Sequence, residues 1–264
     1  MSPTKWFATD EDEWRAYLEG IHPYERRGRR TFRLVPSSPR CKVCSAPFGG
    51  VGRFLFRRYG FTPWEKNPNI CQRCLYGLAG VDVSGTEIDV SFLFADVRRS
   101  SELARELGTM EFTRLMQRFY TVASEVLIEN DALIDKFVGD EVVGFFIPFM
   151  TGREHAARAV ETARALLAAT GHDDPGGPWV PLGAGVNSGI TFVGLVNRGK
   201  VHEFTALGDP INVAAHLAAQ AGVGEILVGA ATAQVTGLVG ERRSLSLKGH
   251  QVEAVVVPTA VHQM

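Results

Sequence analysis

The stretch Val90-Ser91-Phe92-Leu93-Phe94-Ala95-Asp96 decides the fold of this 264-residue chain. It is a short apolar run of strand-forming residues that ends on a carboxylate, which is typical of a buried strand that carries an acid to the edge of a sheet. Further along, Gly139-Asp140 separates two apolar, β-rich segments, residues 132–138 and 142–147. This pattern predicts a tight hairpin with a second acid at its tip.

The two acids, Asp96 and Asp140, are predicted to lie on neighbouring strand ends. Carboxylates in that arrangement form a site for a hard divalent cation. Mg²⁺ in proteins is usually held by one or two carboxylates together with substrate phosphates, so the pair indicates a nucleoside triphosphate as the ligand.

Three motifs, taken in order, resemble the class III nucleotide cyclase domain: the strand ending in Asp96, the Lys136-x-x-Gly139-Asp140 hairpin, and the run 204–215 with its Gly208-Asp209-Pro210-Ile211-Asn212 core. The resemblance covers residues 86–258. It implies an α+β fold with a ferredoxin-like βαββαβ core. It also implies a lyase that converts a nucleoside triphosphate into a 3′,5′-cyclic nucleotide and pyrophosphate, working as a homodimer with active sites between the protomers.

The resemblance assigns a role to each residue at a matching position. Asp96 and Asp140 would bind two Mg²⁺ or Mn²⁺ ions per active site, assisted by the backbone of Val97. One ion would lower the pKa of the ribose 3′-hydroxyl for attack on the α-phosphate, and the other would hold the triphosphate and the departing pyrophosphate. The opposite protomer would supply the remaining groups, which are Lys136 and Thr205 for the base, Asn212 for the ribose and Lys248 for the terminal phosphates.

Two positions depart from the family pattern. Where the pattern Asn-x-x-x-Arg places a transition-state arginine, this chain has His216. Arginine is always charged and offers a rigid fork of donors, whereas neutral histidine offers one donor, so we expect slower turnover unless the ring is protonated. The alternative is that His216 packs in the interface. The second departure is Arg99 in the first loop, where the family commonly has glycine.

The identity of the base rests on Lys136 and Thr205, a pair that resembles the one in many bacterial adenylyl cyclases. There, lysine donates to adenine N1 and the hydroxyl accepts from the 6-amino group, so ATP is the first choice. Cytosine presents the same pattern, and a threonine hydroxyl can instead donate to O4 of uracil. A UTP or CTP cyclase that makes cUMP or cCMP, as in Pycsar antiphage defence, therefore stays open. A third hypothesis is a catalytically silent, nucleotide-sensing dimer in which a zinc module formed by the four cysteines binds nucleic acid or a protein.

All four cysteines occur as Cys41-x-x-Cys44 and Cys71-x-x-Cys74, separated by 26 residues. Four thiolates at this spacing suit one tetrahedral Zn²⁺, which would be structural because four cysteines leave no open position for a substrate. A pair of reduced or redox-active C-x-x-C motifs is the alternative. The sequence therefore predicts a four-cysteine, zinc-ribbon-like module over residues 38–80, preceded by a helical and basic segment, residues 1–37.

The net charge of −1 hides a strong asymmetry, because residues 1–80 carry 14 Lys/Arg against 7 Asp/Glu, whereas residues 81–264 carry 14 against 22. This split supports a domain boundary near Gly80. A basic module with interleaved aromatic residues can contact nucleic acid or a protein, or it can form a solvated surface. No apolar run approaches membrane-spanning length and no signal peptide is visible, so we expect a cytoplasmic protein with no membrane partner.

The remaining predictions concern local structure. The residues Arg98-Arg99-Ser100-Ser101-Glu102 predict a turn followed by a helix N-cap. The glycine-rich segment 182–196 is predicted to form two strands joined around Asn187-Ser188-Gly189. We expect helices over residues 10–19, 154–169 and 211–221, and strands over residues 225–228 and 244–257.

Overall fold

The computed structural model describes residues 10–65, 67–76, 85–198, 201–247 and 249–257. Its contacts divide the chain into two compact units. The first comprises Met1–Ile88, Ile147–Arg153 and Ile190–Leu207, and the second comprises Asp89–Phe146, Glu154–Gly189 and Gly208–Met264. Lys248 and the predicted boundary at Gly80 lie outside the described residues.

The N-terminal part of the first unit consists of short elements around the cysteines. In chain order they are α1 (Glu11–Leu18), α2 (Pro23–Phe32), α3 (Gly50–Phe56), a 3₁₀ turn (Arg57–Tyr59), β1 (Pro63–Trp64), β2 (Asn67–Cys71) and α4 (Gln72–Tyr76). The predicted helix over residues 10–19 is confirmed as α1. Asp10 caps it by accepting the backbone N–H of Glu13, and Trp14, Tyr17 and Leu18 form its buried face.

The main sheet has eight strands, and its order matches the predicted fold. The strands are β3 (Gly85–Val97), β4 (Leu133–Val138), β5 (Glu141–Phe146), β6 (Leu182–Arg198), β7 (Val201–Leu207), β8 (Ile226–Gly229), β9 (Glu241–Leu247) and β10 (His250–Val257). Their order is β4-β5-β3-β6-β8-β10-β9, with β7 paired to β6. The first four of them in the chain, β3 to β6, give the order of a ferredoxin-like βαββαβ core, so the predicted α+β fold is confirmed.

Six helices among the described residues complete the chain after β3. They are α5 (Ser100–Leu107), α6 (Thr109–Glu129), α7 (Pro148–Thr151), α8 (His155–Ala169), α9 (Asp209–Gln220) and α10 (Ala230–Thr236). A 3₁₀ turn, Gly152–Glu154, precedes α8. In the described parts of the chain, no helix combines the length and the apolar character that crossing a membrane requires.

The core of the second unit lies between the sheet and the pair α6 and α8. The apolar stripe of α6 repeats at three-to-four spacing, and its buried members are Met116, Phe119, Ala123 and Leu127. This stripe packs against α8, β4 and β5. Residues 90–95 of β3 are all buried, and this part of the strand is apolar except for Ser91 rather than alternating.

The prediction of two strands around Asn187-Ser188-Gly189 is wrong, because β6 runs unbroken from Leu182 to Arg198. Its glycines serve a close contact with α9 instead of a turn. A Cβ atom on Gly183 would lie 2.8 Å from the carbonyl oxygen of Ala221, and one on Gly185 would lie 2.2 Å from the backbone nitrogen of Ala218. Only glycine therefore lets α9 lie directly on the strand.

Two smaller predictions also need correction. The single strand expected over residues 244–257 is a hairpin of β9 and β10, because the chain reverses between Leu247 and His250. The helix α10 was not predicted. At the start of α5 the residue before the helix is Arg99, whose backbone is left-handed, and no side chain caps the helix, so the serine N-cap signature is wrong.

A chain of buried and partly buried hydrogen bonds joins strands and helices of the second unit. The Nδ1 atom of His155 lies 2.8 Å from the hydroxyl of Ser91, which lies 2.6 Å from the hydroxyl of Ser188. Thr232 donates to Ser188 at 3.0 Å. Burial lowers the pKa of His155, although Asp89, 3.9 Å from the ring, opposes that shift.

Candidate functional site

The β4–β5 hairpin places Asp96 and Asp140 next to each other. Asp96, near the end of β3, pairs directly with Glu141 at the start of β5. The backbone N–H of Val97 donates to the carbonyl oxygen of Asp140 at 3.1 Å. The turn itself is Gly139-Asp140, with Gly139 at φ +61°. Strand pairing therefore brings together the two carboxylates and the Val97 backbone that the sequence assigned to metal binding.

Arg98 is a member of this cluster that the sequence did not predict. Its guanidinium forms an ion pair with the carboxylate of Asp96. The same side chain donates to the carbonyl oxygens of Ala219 at 3.0 Å and Ala221 at 3.3 Å, and only 15% of it is exposed. Burial lowers the pKa of Arg98, and the nearby Asp140 and Glu141 oppose the shift. The guanidinium of Arg98 is thus held between the end of β3 and the end of α9.

The three carboxyl groups of Asp96, Asp140 and Glu141 outnumber Lys136 and Arg98, the two cations whose charges act on Glu141, and this excess favours a further cation. Burial, and then the charge of Asp140, raise the pKa of Glu141 above its ordinary value, so an extra negative charge at this point is unfavourable. The carboxyl groups of Asp96, Asp140 and Glu141 offer oxygen ligands, which Mg²⁺ and Mn²⁺ prefer. A bound divalent ion would relieve the repulsion between these acids.

Tyr120, on α6, holds the tip of the hairpin. Its hydroxyl donates to the carbonyl oxygen of Gly139, and its ring centroid lies 4.9 Å from that of Phe137. It also lines a cavity of about 640 Å³ together with Ser100, Gln117 and Asp140. The side chain therefore positions the turn that carries Asp140. This contact of Tyr120 was not predicted from the sequence.

The residues predicted to read the base lie on separate elements. Lys136 is on β4, exposed, with its Nζ atom 3.4 Å from the buried carboxylate of Asp135. Thr205 is buried on β7, in the first unit. Lys248, the predicted phosphate ligand, lies outside the described residues. Asp135 is a fixed acidic partner for Lys136 that the sequence analysis did not identify.

The start of α9 is fixed by contacts that position Asn212. Asn187 donates from Nδ2 to the carbonyl oxygen of Pro210 at 3.1 Å. Asn212 is exposed in the first turn, and His216 follows one turn later on the same side of the helix. Among the described residues the buried Nε2 atom of His216 has no hydrogen-bond partner. The two predicted catalytic residues therefore share one face of α9.

The departure at Arg99 has a visible backbone consequence. Arg99 adopts φ +58° and ψ +32°, the left-handed region that favours glycine. The loop conformation thus accounts for the glycine that the resembling family commonly has here. In this chain an arginine takes the same conformation, and its side chain forms an exposed ion pair with Glu102.

The four cysteines form a second candidate site, in the first unit. All four are buried and unpaired by disulfides, and their sulfur atoms lie within 4.8 Å of one another. The Cys41–Cys74 and Cys44–Cys71 distances are 3.9 and 3.8 Å. A tetrahedron with Zn–S bonds of about 2.3 Å has S–S edges of about 3.8 Å, so the cluster has the size of a Zn²⁺ site.

Backbone and side-chain groups around the cysteines suit thiolates. The N–H of Cys71 donates to the sulfur of Cys41 at 3.3 Å, and the hydroxyl of Tyr17 donates to the carbonyl oxygen of Cys74 at 2.6 Å. Glu25 is fully buried nearby. Burial raises the pKa of Glu25 to about 8 against the opposing charge of Arg29, so at neutral pH the carboxyl adds little negative charge beside the sulfurs.

Sequence comparison gives one family match. A model described as the adenylate and guanylate cyclase catalytic domain matches residues 83–258, about two thirds of the chain. An uncharacterized protein of Mycobacterium tuberculosis is 30% identical over 136 residues, which are 51% of this chain and 23% of that protein. The terminal-differentiation specific adenylate cyclase of Dictyostelium discoideum is 26% identical over 128 residues, 47% of this chain and 6% of that protein. The chain thus spans a quarter or less of the length of these relatives.

Solved structures give the same fold. The guanylyl cyclase Cya2 superimposes with a TM-score of 0.60 at 20% identity, over 69% of this chain and 98% of that chain. The adenylyl cyclase CyaB from P. aeruginosa superimposes with a TM-score of 0.58 at 25% identity, over 68% of this chain and 98% of that chain.

Proposed function

Because the chain belongs to the family of adenylate and guanylate cyclase catalytic domains, we propose that it is an active nucleotidyl cyclase, converting a nucleoside triphosphate into a 3′,5′-cyclic nucleotide and pyrophosphate. The observation that carries the proposal is the convergence of Asp96, Asp140 and the Val97 backbone at one hairpin. A catalytically silent dimer has no need of these paired carboxylates.

The residues of this chain bind and orient the substrate. Asp96 and Asp140 hold two divalent ions, which, when bound, lower the pKa of the ribose 3′-hydroxyl and neutralise the charge of the triphosphate. The backbone N–H groups at the start of α5 follow β3 directly and can bind phosphate oxygens. Asn212 orients the ribose. His216 offers a ring nitrogen toward the phosphates in place of the family arginine.

We propose a homodimer with two sites, each taking Asp96 and Asp140 from one chain and Lys136, Thr205 and Asn212 from the other. Support comes from exposed apolar side chains that a partner would cover, including Phe137 and Val138 on the hairpin. The unpaired Nε2 atom of His216 is a further group that a partner chain or a substrate can satisfy.

ATP is the proposed substrate, on the strength of Lys136 and Thr205. The pattern of donor and acceptor groups fits UTP or CTP as well, which makes a pyrimidine cyclase the second candidate. In the assay, purified protein is incubated with each of the four nucleoside triphosphates and Mn²⁺, and the products are identified by mass. Faster cyclisation of UTP or CTP than of ATP would replace ATP while leaving the metal and ribose assignments intact.

The site assignment is tested by complementation. Asp96→Ala and Asp140→Ala should each abolish product while leaving a folded dimer. Mixing Asp96→Ala with Asn212→Ala protein should restore activity, because one site of a mixed dimer carries both changes and the other carries neither. A mixture that stays inactive although mixed dimers form would contradict sites shared between chains.

We further propose that Cys41, Cys44, Cys71 and Cys74 hold one structural Zn²⁺ in a cytoplasmic protein, since reduced thiolates persist in that compartment. Metal analysis should give about one zinc per chain. Cys41→Ser with Cys44→Ser should lose the metal and the folded structure of residues 40–75. Retention of that structure without any bound metal would contradict the assignment.

A further inference from the structure

The helix α3 presents apolar side chains to solvent on a rigid support. Val51 is 75% exposed and Phe54 84% exposed, and Leu55 and Tyr59 are exposed as well. At spacings of three and four residues, Val51, Phe54 and Leu55 share one side of the helix. We call the outward side chains of residues 51–59 the α3 surface.

The opposite side of α3 is already filled, so these residues have no interior place to occupy. A Cβ atom on the buried Gly52 would lie 2.7 Å from Pro47 and 2.9 Å from Val35. Phe56 packs edge-on against Phe32 at 5.1 Å between ring centroids. These contacts fix the orientation of α3, so that Gly52 and Phe56 face inward. The side chains of Val51, Phe54 and Leu55 then face the solvent.

The neighbouring loop is also held in place. Arg40 donates to the carbonyl oxygens of Phe32 at 2.9 Å and Ser45 at 3.0 Å, and to that of Val35. Within this loop Leu34 is 83% exposed. Leu34 therefore adds to the apolar area that is exposed to water. The unfavourable free energy of this exposure is proportional to the apolar area.

The charges around this area have one sign. Every charged residue from 49 to 61 is an arginine, namely Arg53, Arg57 and Arg58, and all three are exposed. A second copy of the same surface would bring like charges together, which disfavours self-association. Nucleic acid would pair with the arginines and stack on Phe54 and Tyr59, but Val51 and Leu55, together with Leu34, can neither stack on bases nor form hydrogen bonds with them. The α3 surface therefore favours a partner that offers both apolar groups and negative charge.

We propose that the α3 surface binds the face of an anionic lipid bilayer, with Val51, Phe54 and Leu55 entering the boundary between headgroups and acyl chains and the arginines contacting lipid phosphates. Peripheral binding of this kind needs no spanning helix. It revises the expectation of no membrane partner, which rested on the lack of a spanning segment. The proposal is independent of cyclase activity, since it is measured without nucleotide.

The test is co-sedimentation of the full chain with vesicles of phosphatidylcholine alone and of phosphatidylcholine containing about one third phosphatidylserine, at low and high salt. We expect binding to the anionic vesicles only, weakened by salt. Arg57→Gln with Arg58→Gln should weaken it about thirtyfold, at about fivefold for each arginine. Phe54→Ser with Leu55→Ser should weaken it about tenfold or more.

Val239→Ser is the matched control, because Val239 is 96% exposed and belongs to the second unit, away from the α3 surface in sequence. It should bind vesicles as the unchanged protein does. Thermal unfolding of each variant shows that its fold is kept. Three results would overturn the proposal: no vesicle binding, binding that the control loses as much as the α3 variants do, or α3 variants that change only the dimerisation or the oligonucleotide binding of the protein.

Discussion

Replacing Gly185 with alanine tests whether activity depends on the position of α9, because the substitution should displace this helix and leave the rest of the fold in place. A Cβ atom at this position would lie 2.2 Å from the backbone nitrogen of Ala218 and 2.4 Å from the carbonyl oxygen of Ala214. Ordinary van der Waals contact begins near 3.4 Å. Since both neighbours are backbone atoms of one helix, α9 must move away from β6 by about 1.2 Å to accept the methyl group.

The expected effect on stability is moderate and the effect on turnover is large. Overpacking of this kind costs about 1–3 kcal/mol, which corresponds to a fall in Tm of about 2–12 °C for a domain of this size. A displacement of about 1 Å in a positioning group can cost about a hundredfold in rate. Because Asn212 and His216 both move with α9, we expect kcat to fall about a hundredfold.

The assay measures cyclic nucleotide formation and the thermal unfolding of each variant. Gly176→Ala is the control, because a Cβ atom on Gly176 would meet nothing within 4 Å and its backbone is not left-handed. It should behave as the unchanged protein does. If Gly185→Ala lowers Tm as expected but kcat stays within about threefold of that of the unchanged protein, the close contact of α9 with β6 does not determine the rate of turnover.

Three further predictions follow from single residues. Arg99→Gly should raise Tm, because glycine adopts the left-handed backbone without strain, whereas Arg99→Ala should not. Burial lowers the pKa of His155 in the folded state below its ordinary value of about 6.5. As the pH falls, the unfolded state therefore takes up a proton at a higher pH than the folded state does. The free energy of unfolding should decrease as the pH drops through about 6.5. Urea unfolding at several pH values should show this dependence of stability on pH, and His155→Gln should reduce it. His216→Arg should raise kcat by supplying the charged fork of the family arginine, and an unchanged kcat would argue that His216 lies outside the phosphate site.

The adjacent placement of Asp96 and Asp140 was predictable because local patterns determine it. An apolar strand ending in Asp96 and a Gly-Asp pair between two β-rich runs each specify their own structure, and strand pairing then joins them. The cysteines were predictable for a similar reason, since the two C-x-x-C pairs carry their spacing in the sequence.

The errors arose where tertiary contacts overrode local signals. The glycines of residues 183–189 resemble a turn, but they are required by the backbone of α9 lying on β6. Arg98 and Tyr120 went unnoticed because their roles depend on partners distant in sequence, Ala219 for one and Gly139 for the other. A lone arginine or a tyrosine within an apolar stripe gives no local sign of such a partner.

Arg98 joins the carboxylate of Asp96 to the carbonyl oxygens at the end of α9, the helix that carries Asn212. In the proposed homodimer these two residues of one chain serve different active sites. In that dimer, a metal ion at Asp96 would compete with the Arg98 guanidinium for the same carboxylate oxygen. The same guanidinium donates to the end of the helix that carries Asn212 of the other site. Metal binding at one site would therefore shift the helix that serves the other site, and this coupling would make the two sites of the proposed dimer cooperative.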